Sequence, residues 1–162
     1  MASKAFFDPL VLLRVAPVLT STMAMRFSHD QWLFLENFLV PEHRDKVNAI
    51  VPSYFKTFFA KGVWDIGILY TLTTATGISN VASKHGGAWE WYAAGTALAF
   101  LHMAFVPFIM YKVKGLIDDE PKGQGNTLLR GWLNVHTVRS WVTDIPSWAC
   151  FVVACLKSVQ PL

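Results

Sequence analysis

Four long apolar stretches separated by polar segments set the pattern of this chain, at about residues 6–27, 54–81, 91–113 and 135–156. Each is long enough to cross a hydrocarbon core of about 30 Å as a helix rising about 1.5 Å per residue. Pro52 and Ser53 precede the second stretch in the manner of a helix N-terminus. Trp89, Trp91 and Tyr92 stand where the third begins, and Trp132 just before the fourth, as residues of an interfacial aromatic belt should. Lys4 gives the first stretch a weak resemblance to a signal peptide, but Arg14 splits its apolar run and no small-residue cleavage site precedes the polar segment. It reads as a retained helix.

The connectors are unequal. Within residues 28–53, Trp32, Leu33, Leu35, Phe38 and Leu39 form an apolar group broken by Glu36 and Asn37, which predicts a short interfacial helix. Residues 114–131 hold Asp118, Asp119, Glu120, Pro121, Gly123 and Gly125 and read as a flexible surface connector. The expected architecture is all-α: one integral membrane domain over residues 1–162, a four-transmembrane-helix bundle with a short interfacial helix between the first two spans.

Composition agrees with lipid as a partner. Apolar residues make up 53% of the chain and mean hydropathy is +0.35. Charged residues are 15%, against about 25% in a typical soluble domain. With 14 basic and 11 acidic residues the net charge is only +3, and no run of like charges occurs. A nucleic-acid surface, which needs a concentrated basic patch, is excluded. Arg26, Arg44, Lys46, Lys56, Lys112, Lys114, Lys122 and Arg130 flank the first and third connectors, against Lys4, Lys84 and Lys157 on the other side. The positive-inside rule then makes the two large connectors cytosolic and puts both termini across the membrane, in the endoplasmic reticulum lumen of a eukaryotic cell. Cys150 and Cys155, five apart on a helix, point in different directions and read as packing residues.

Candidate chemistry lies in side chains that do not belong in lipid. These are Arg14 in the first span, Lys61 and Asp65 in the second, His102 in the third, and His136, Arg139 and Asp144 in the fourth. An ionised group at mid-bilayer costs roughly 2.5 to 3.5 kcal/mol on insertion scales, so these side chains are expected to face inward and pair. His136, Arg139 and Thr143 follow i, i+3, i+7 spacing on one face, and Lys61 and Asp65 share a face at i, i+4. Pro107 and Pro146 fall within the third and fourth spans, where kinks free backbone carbonyls and widen a cavity. No phosphate loop, GxSxG, HExxH or paired CxxC occurs, and His29, His43 and His85 lie outside the spans without metal-ligand spacing. No cofactor or metal is expected.

The tail LLRGWLNVHTVRSWVTDIPSW, with FFAKGVWDIG and WYAAGTALAFLHMAFVPFIMYKVKGL, resembles the anthrone-oxygenase-like membrane family (DUF1772). Members are similar in length, have about four predicted spans, and carry a Trp, then Asn or His, then Arg pattern in the last helix. Trp132, His136 and Arg139 match that pattern, whereas VKGLIDDEP stands where the family has a Thr-Asn pair. The resemblance implies a fungal natural-product pathway and oxygenation without flavin or haem. A base would remove a proton from an activated carbon, and a cation would hold the developing oxyanion. His102 or Asp65 suits the base and Arg139 with Arg14 the oxyanion site, with Trp64, Phe100, Phe105, Trp141 and Trp148 as an aromatic lining.

Three functions fit these residues. The first is cofactor-independent oxygenation of a lipophilic polyketide- or terpenoid-like intermediate. The second is a non-oxidative isomerase or cyclase using Asp65 or Asp144 as general acid. The third is a non-enzymatic membrane scaffold or carrier.

Overall fold

A computed structural model describes residues 8–84 and 86–159, Arg44 by its backbone alone. Lys4, His85 and the first two positions of the first expected span lie outside the described residues. Among the described residues six α-helices make four antiparallel rods: α1 (Pro9–Glu36), α2 (Arg44–Ser83), α3 (Ala88–Leu101) with α4 (Val106–Asp118), and α5 (Gly125–Arg139) with α6 (Ile145–Ser158). Among the described residues there is no strand. The first rod packs against the second and fourth, and the third bridges the second and fourth.

Rod boundaries follow local chemistry. Asp8 accepts the Leu10 amide at 2.8 Å and Pro9 holds the first helical position, so α1 starts with a side-chain cap and a preset φ. Lys84 and Asp119, with φ of 46° and 53°, end α2 and α4 in the left-handed conformation.

The helices run further than the hydropathy pattern implied. Residues 32–36 belong to α1 itself, followed by one tight turn at Asn37–Leu39, so the separate interfacial helix is absent. The buried face of α1 continues through Ser28, Gln31 and Leu35 at i, i+3 and i+7, so packing carries the helix across the expected boundary, and an Arg26–Asp30 ion pair at 2.7 Å spans the same turn. Pro52 sits inside α2 rather than at its start. The supposed flexible connector at 114–131 is mostly helical, and only residues 119–124 join α4 to α5.

Close packing uses small residues. A Cβ on Gly95 would lie 2.9 Å from the Phe151 ring, and one on Gly77 would lie 2.3 Å from Thr96 Oγ1. Only glycine lets α2, α3 and α6 approach so closely. Across the same helices the Ser147 hydroxyl donates to the Gly95 carbonyl at 2.8 Å. On the far side of the bundle Asn80 Nδ2 donates to the Leu13 carbonyl at 2.7 Å, joining α2 to α1.

The interior is layered. One end is apolar, built around Leu35, Val51, Phe55, Leu116, Leu129 and Trp132. The other is a smaller cluster of Ala88, Tyr92, Phe151 and Ala154. Between them each rod contributes polar side chains to a buried middle layer: Ser28, Tyr70, His102, and Arg139 with Asp144. Meanwhile Leu10, Leu19, Met23, Ile68, Leu72 and Leu156 are exposed on the outside. Two rods, Pro9–Leu39 and Ala88–Asp118, are long and apolar enough to cross a membrane, and most of each apolar window faces outward.

Candidate active site

The two composite rods are irregular where the polar layer lies. Pro107 lacks the N–H that would bond back toward Met103, and the helix tightens into a 3-10 turn at His102–Phe105. In the fourth rod a π-helical turn occupies Ser140–Asp144, just before Pro146. Each interruption turns its polar residues into the bundle.

There Asp144 is the hub. Its Oδ1 receives the Tyr70 hydroxyl at 2.7 Å and His102 Nδ1 at 3.0 Å. The Thr143 hydroxyl, 2.9 Å away, shares its proton between that oxygen and the Arg139 carbonyl. Asp144 Oδ2 faces Arg139 Nε at 3.4 Å, an ion pair without a hydrogen bond. A carboxyl group with these donors and a guanidinium beside it is ionised. His102 Nδ1 therefore carries the proton that it gives to Asp144. Its Nε2 is left with a lone pair, to which no hydrogen bond is made among the described residues.

Arg139 and His136 form the second half. Arg139 Nη2 donates to His136 Nδ1 at 3.0 Å and to the Ser28 hydroxyl at 3.3 Å. Because Nδ1 accepts, His136 carries its proton on Nε2 and donates to the Ser28 carbonyl at 2.9 Å. The His136 ring stacks on Trp132 at 4.8 Å and 17°. Ser140, whose proton goes to the His136 carbonyl at 3.0 Å, accepts the Ser28 hydroxyl at 2.9 Å. Trp132, His136 and Arg139, the sequence pattern of the last rod, are thus one stacked and hydrogen-bonded unit. His136 has both ring nitrogens occupied and serves as a support for Arg139.

A cavity of about 500 Å³ adjoins this layer. It is predominantly apolar, walled by α2 and by α3 with α4, and His102, Arg139 and Tyr70 reach it together with Gln31. Of the aromatic lining expected from sequence only Phe100 is there, joined by Phe58, Phe59 and Trp132. Trp64 and Trp141 are 73% and 68% exposed on the outside of the bundle, and Trp148 donates its indole N–H to Thr22.

Four of the six candidate residues, His102, His136, Arg139 and Asp144, meet in the site. Asp65 does not. It is exposed, as is Lys61, because positions 65 and 70 lie about 140° apart around α2 and Tyr70 takes the inward face. Arg14 is also elsewhere, about 21 Å along α1 from Ser28. Its Nη1 donates to the Ser158 carbonyl at 3.1 Å, where a cation favourably meets the C-terminal end of α6. Tyr70, Ser28 and Gln31, which sequence reasoning missed, complete the layer. Among the described residues no group of three or more His, Cys, Asp or Glu side chains is arranged to hold a metal ion.

Sequence comparison adds kinship to this geometry. The chain is 30% identical over 156 residues to epoxidase pydX of Acremonium sp, an overlap of 93% of this chain and 96% of that one. The chain belongs to the family of this fungal epoxidase. Probable epoxidase scpX of Mollisia scopiformis is 29% identical, with 91% of this chain and 96% of the relative covered. Epoxidase gkaX of Penicillium citrinum is 26% identical, with 93% and 96% covered. No protein-family model matches the chain, and no solved structure matches it. Membership of the epoxidase family makes the chain an oxygenase enzyme of secondary metabolism, and the scaffold or carrier reading falls.

Proposed function

We propose that the chain is a membrane-embedded epoxidase in which His102 is the general base and Arg139 the cation that receives developing negative charge. The observation that carries this reading is the His102–Asp144 bond. It commits Nδ1–H to the carboxylate and leaves the Nε2 lone pair to a largely apolar cavity that Arg139 also lines. The names of the relatives supply the reaction class.

In this scheme His102 Nε2 takes a proton from an activated carbon of a lipophilic substrate, and the carbanion, held beside Arg139, attacks dioxygen to form a C–O bond. The resulting peroxide anion takes the proton back from His102, so substrate and dioxygen combine into a hydroperoxide. Its distal oxygen passes to a carbon–carbon double bond of the same molecule, giving an epoxide and leaving an alcohol. Dioxygen is the oxidant throughout. Asp144 holds the imidazole in the required tautomer and stabilises the imidazolium while the proton is on it.

A non-oxidative isomerase or cyclase would need Asp65 or Asp144 as general acid. Asp65 is exposed on the outside of α2, and Asp144 receives protons from its neighbours rather than offering one. The epoxidase scheme uses the donors as they stand.

Embedding of all four rods rests on the inversion of the bundle, with a polar middle layer inside and large apolar side chains outside. The basic-residue asymmetry favours the loops before α2 and before α5 on the cytosolic side of the endoplasmic reticulum membrane. The likeness of the Trp132, His136 and Arg139 pattern to anthrone-oxygenase-like proteins supports a chemistry that starts from a carbanion. The origin of the oxygen tests the scheme. In cells that make the substrate, grown under isotopically labelled dioxygen, the product should gain the label, and label arriving from water instead would contradict it.

A further inference from the structure

The cavity contains a polar side chain that the scheme above leaves idle. Gln31, on α1, is 8% exposed and lines the cavity, yet its amide makes no hydrogen bond among the described residues. Its Nε2 would lie 3.9 Å from a Cβ built on Gly62, another cavity-wall position. The residue is largely buried while its amide is open to the cavity and unpaired, which leaves its hydrogen-bonding capacity to whatever occupies the cavity. Arg139 is in a similar state. Nη2 is spent on His136 and Ser28 and Nε faces Asp144, but Nη1 has no hydrogen-bond partner among the described residues. The two groups are near one another, because Gln31 follows Ser28 by one helical turn and Ser28 is the residue that Arg139 holds.

We propose that the Gln31 amide and Arg139 Nη1 together anchor a carbonyl oxygen of an otherwise apolar substrate. The cavity, at about 500 Å³, is of ordinary small-molecule size, and most of its wall, including Phe59, Ile66, Met103, Val106 and Ile109, offers apolar contact. A carbonyl fixed at the Gln31–Arg139 end acidifies the carbon next to it and places that carbon toward His102. The substrate class is then a lipophilic ketone, ester or amide with an acidic C–H beside the carbonyl. This inference rests on the cavity being the active site.

Methyl decyl ketone and dodecane, alike in length and differing in one carbonyl group, serve as probes, titrated into the full chain in lipid nanodiscs with thermal unfolding as the readout. The wild type should be stabilised by the ketone at concentrations at least about tenfold lower than by the alkane, the worth of one to two hydrogen bonds to a cation and an amide. Gln31→Leu should bind dodecane as before and lose the preference. Should Gln31→Leu fail to fold, Gln31→Asn, which withdraws the amide by one methylene, is held to the same expectation. His102→Ala should keep the preference, since the base takes no part in anchoring. A wild type that does not prefer the ketone, or a Gln31 variant that still does, overturns the anchor. Either result leaves the role of His102 to be decided by turnover.

Discussion

His102 Nδ1 donates to Asp144 Oδ1 at 3.0 Å, joining the interrupted turn before Pro107 to the interrupted turn before Pro146. Both residues belong to the irregular turns themselves, His102 opening the 3-10 turn and Asp144 closing the π-helical one. The bond orients the imidazole and leaves Nε2 as the ring nitrogen without a partner among the described residues.

Asp144→Asn should be far more damaging than Asp65→Asn. Removing the carboxylate leaves Arg139 without its buried counter-ion, and losing one partner of a buried pair costs about 3–5 kcal/mol. Asp65 is exposed on the outside of α2 and has no buried counter-ion to orphan, so Asp65→Asn should not destabilise the bundle in this way. Thermal unfolding in detergent measures both, and equal tolerance would remove Asp144 from the centre of the polar layer.

Tyr70→Phe deletes the 2.7 Å bond to Asp144 while keeping the ring that lies 4.1 Å from His102. A hydrogen bond to a charged group is worth about 1.5–3 kcal/mol. Turnover should fall roughly ten- to hundredfold with the bundle intact. An unchanged rate would show that Tyr70 only packs.

Gly95→Ala and Gly77→Ala should destabilise the bundle by about 1–3 kcal/mol, as overpacking does. The new methyl group would press on the Phe151 ring in the first case and on Thr96 in the second. Gly67→Ala, with nothing within 4 Å of the added Cβ, is the control and should have little effect on unfolding.

Single cysteines placed in a background lacking Cys150 and Cys155 should report opposite sides for the two ends of the bundle. Positions 84 and 157 should label from one face of the membrane and positions 42 and 122 from the other, as four antiparallel spanning rods require. Labelling of 84 and 122 from the same face would contradict four spans.

Sequence made the core of the site legible because charge in an apolar helix has to find a partner. His102, His136, Arg139 and Asp144 stood out for that reason, and the structure brings them together. The same argument misplaced Lys61 and Asp65. Their i, i+4 spacing fixes the face they share but not the direction in which that face points, which depends on packing by Gly62, Ile66 and Tyr70. Arg14 was visible as a buried-sequence cation, yet its partner is a helix end more than a hundred residues away that carries no local signal. Tyr70, Ser28 and Gln31 gave no signal either, since hydroxyl and amide groups are ordinary in such helices and acquire a role only through their tertiary neighbours. At the fold level the four rods were plain from hydropathy. Their ends were not, because the inward face of α1 runs on through Ser28, Gln31 and Leu35, two of them polar and silent in a hydropathy pattern.

In the proposed scheme His102 Nε2 takes the proton that starts reaction with dioxygen. The most direct measurement replaces the chain by its His102→Ala variant in cells that make the substrate, under labelled dioxygen, and compares the labelled product and the unoxygenated precursor by mass spectrometry. The expected result is folded protein of near-normal abundance, accumulated precursor, and labelled product reduced at least about a hundredfold, the usual worth of a general base. Labelled product at the wild-type level from the folded His102→Ala protein would contradict it.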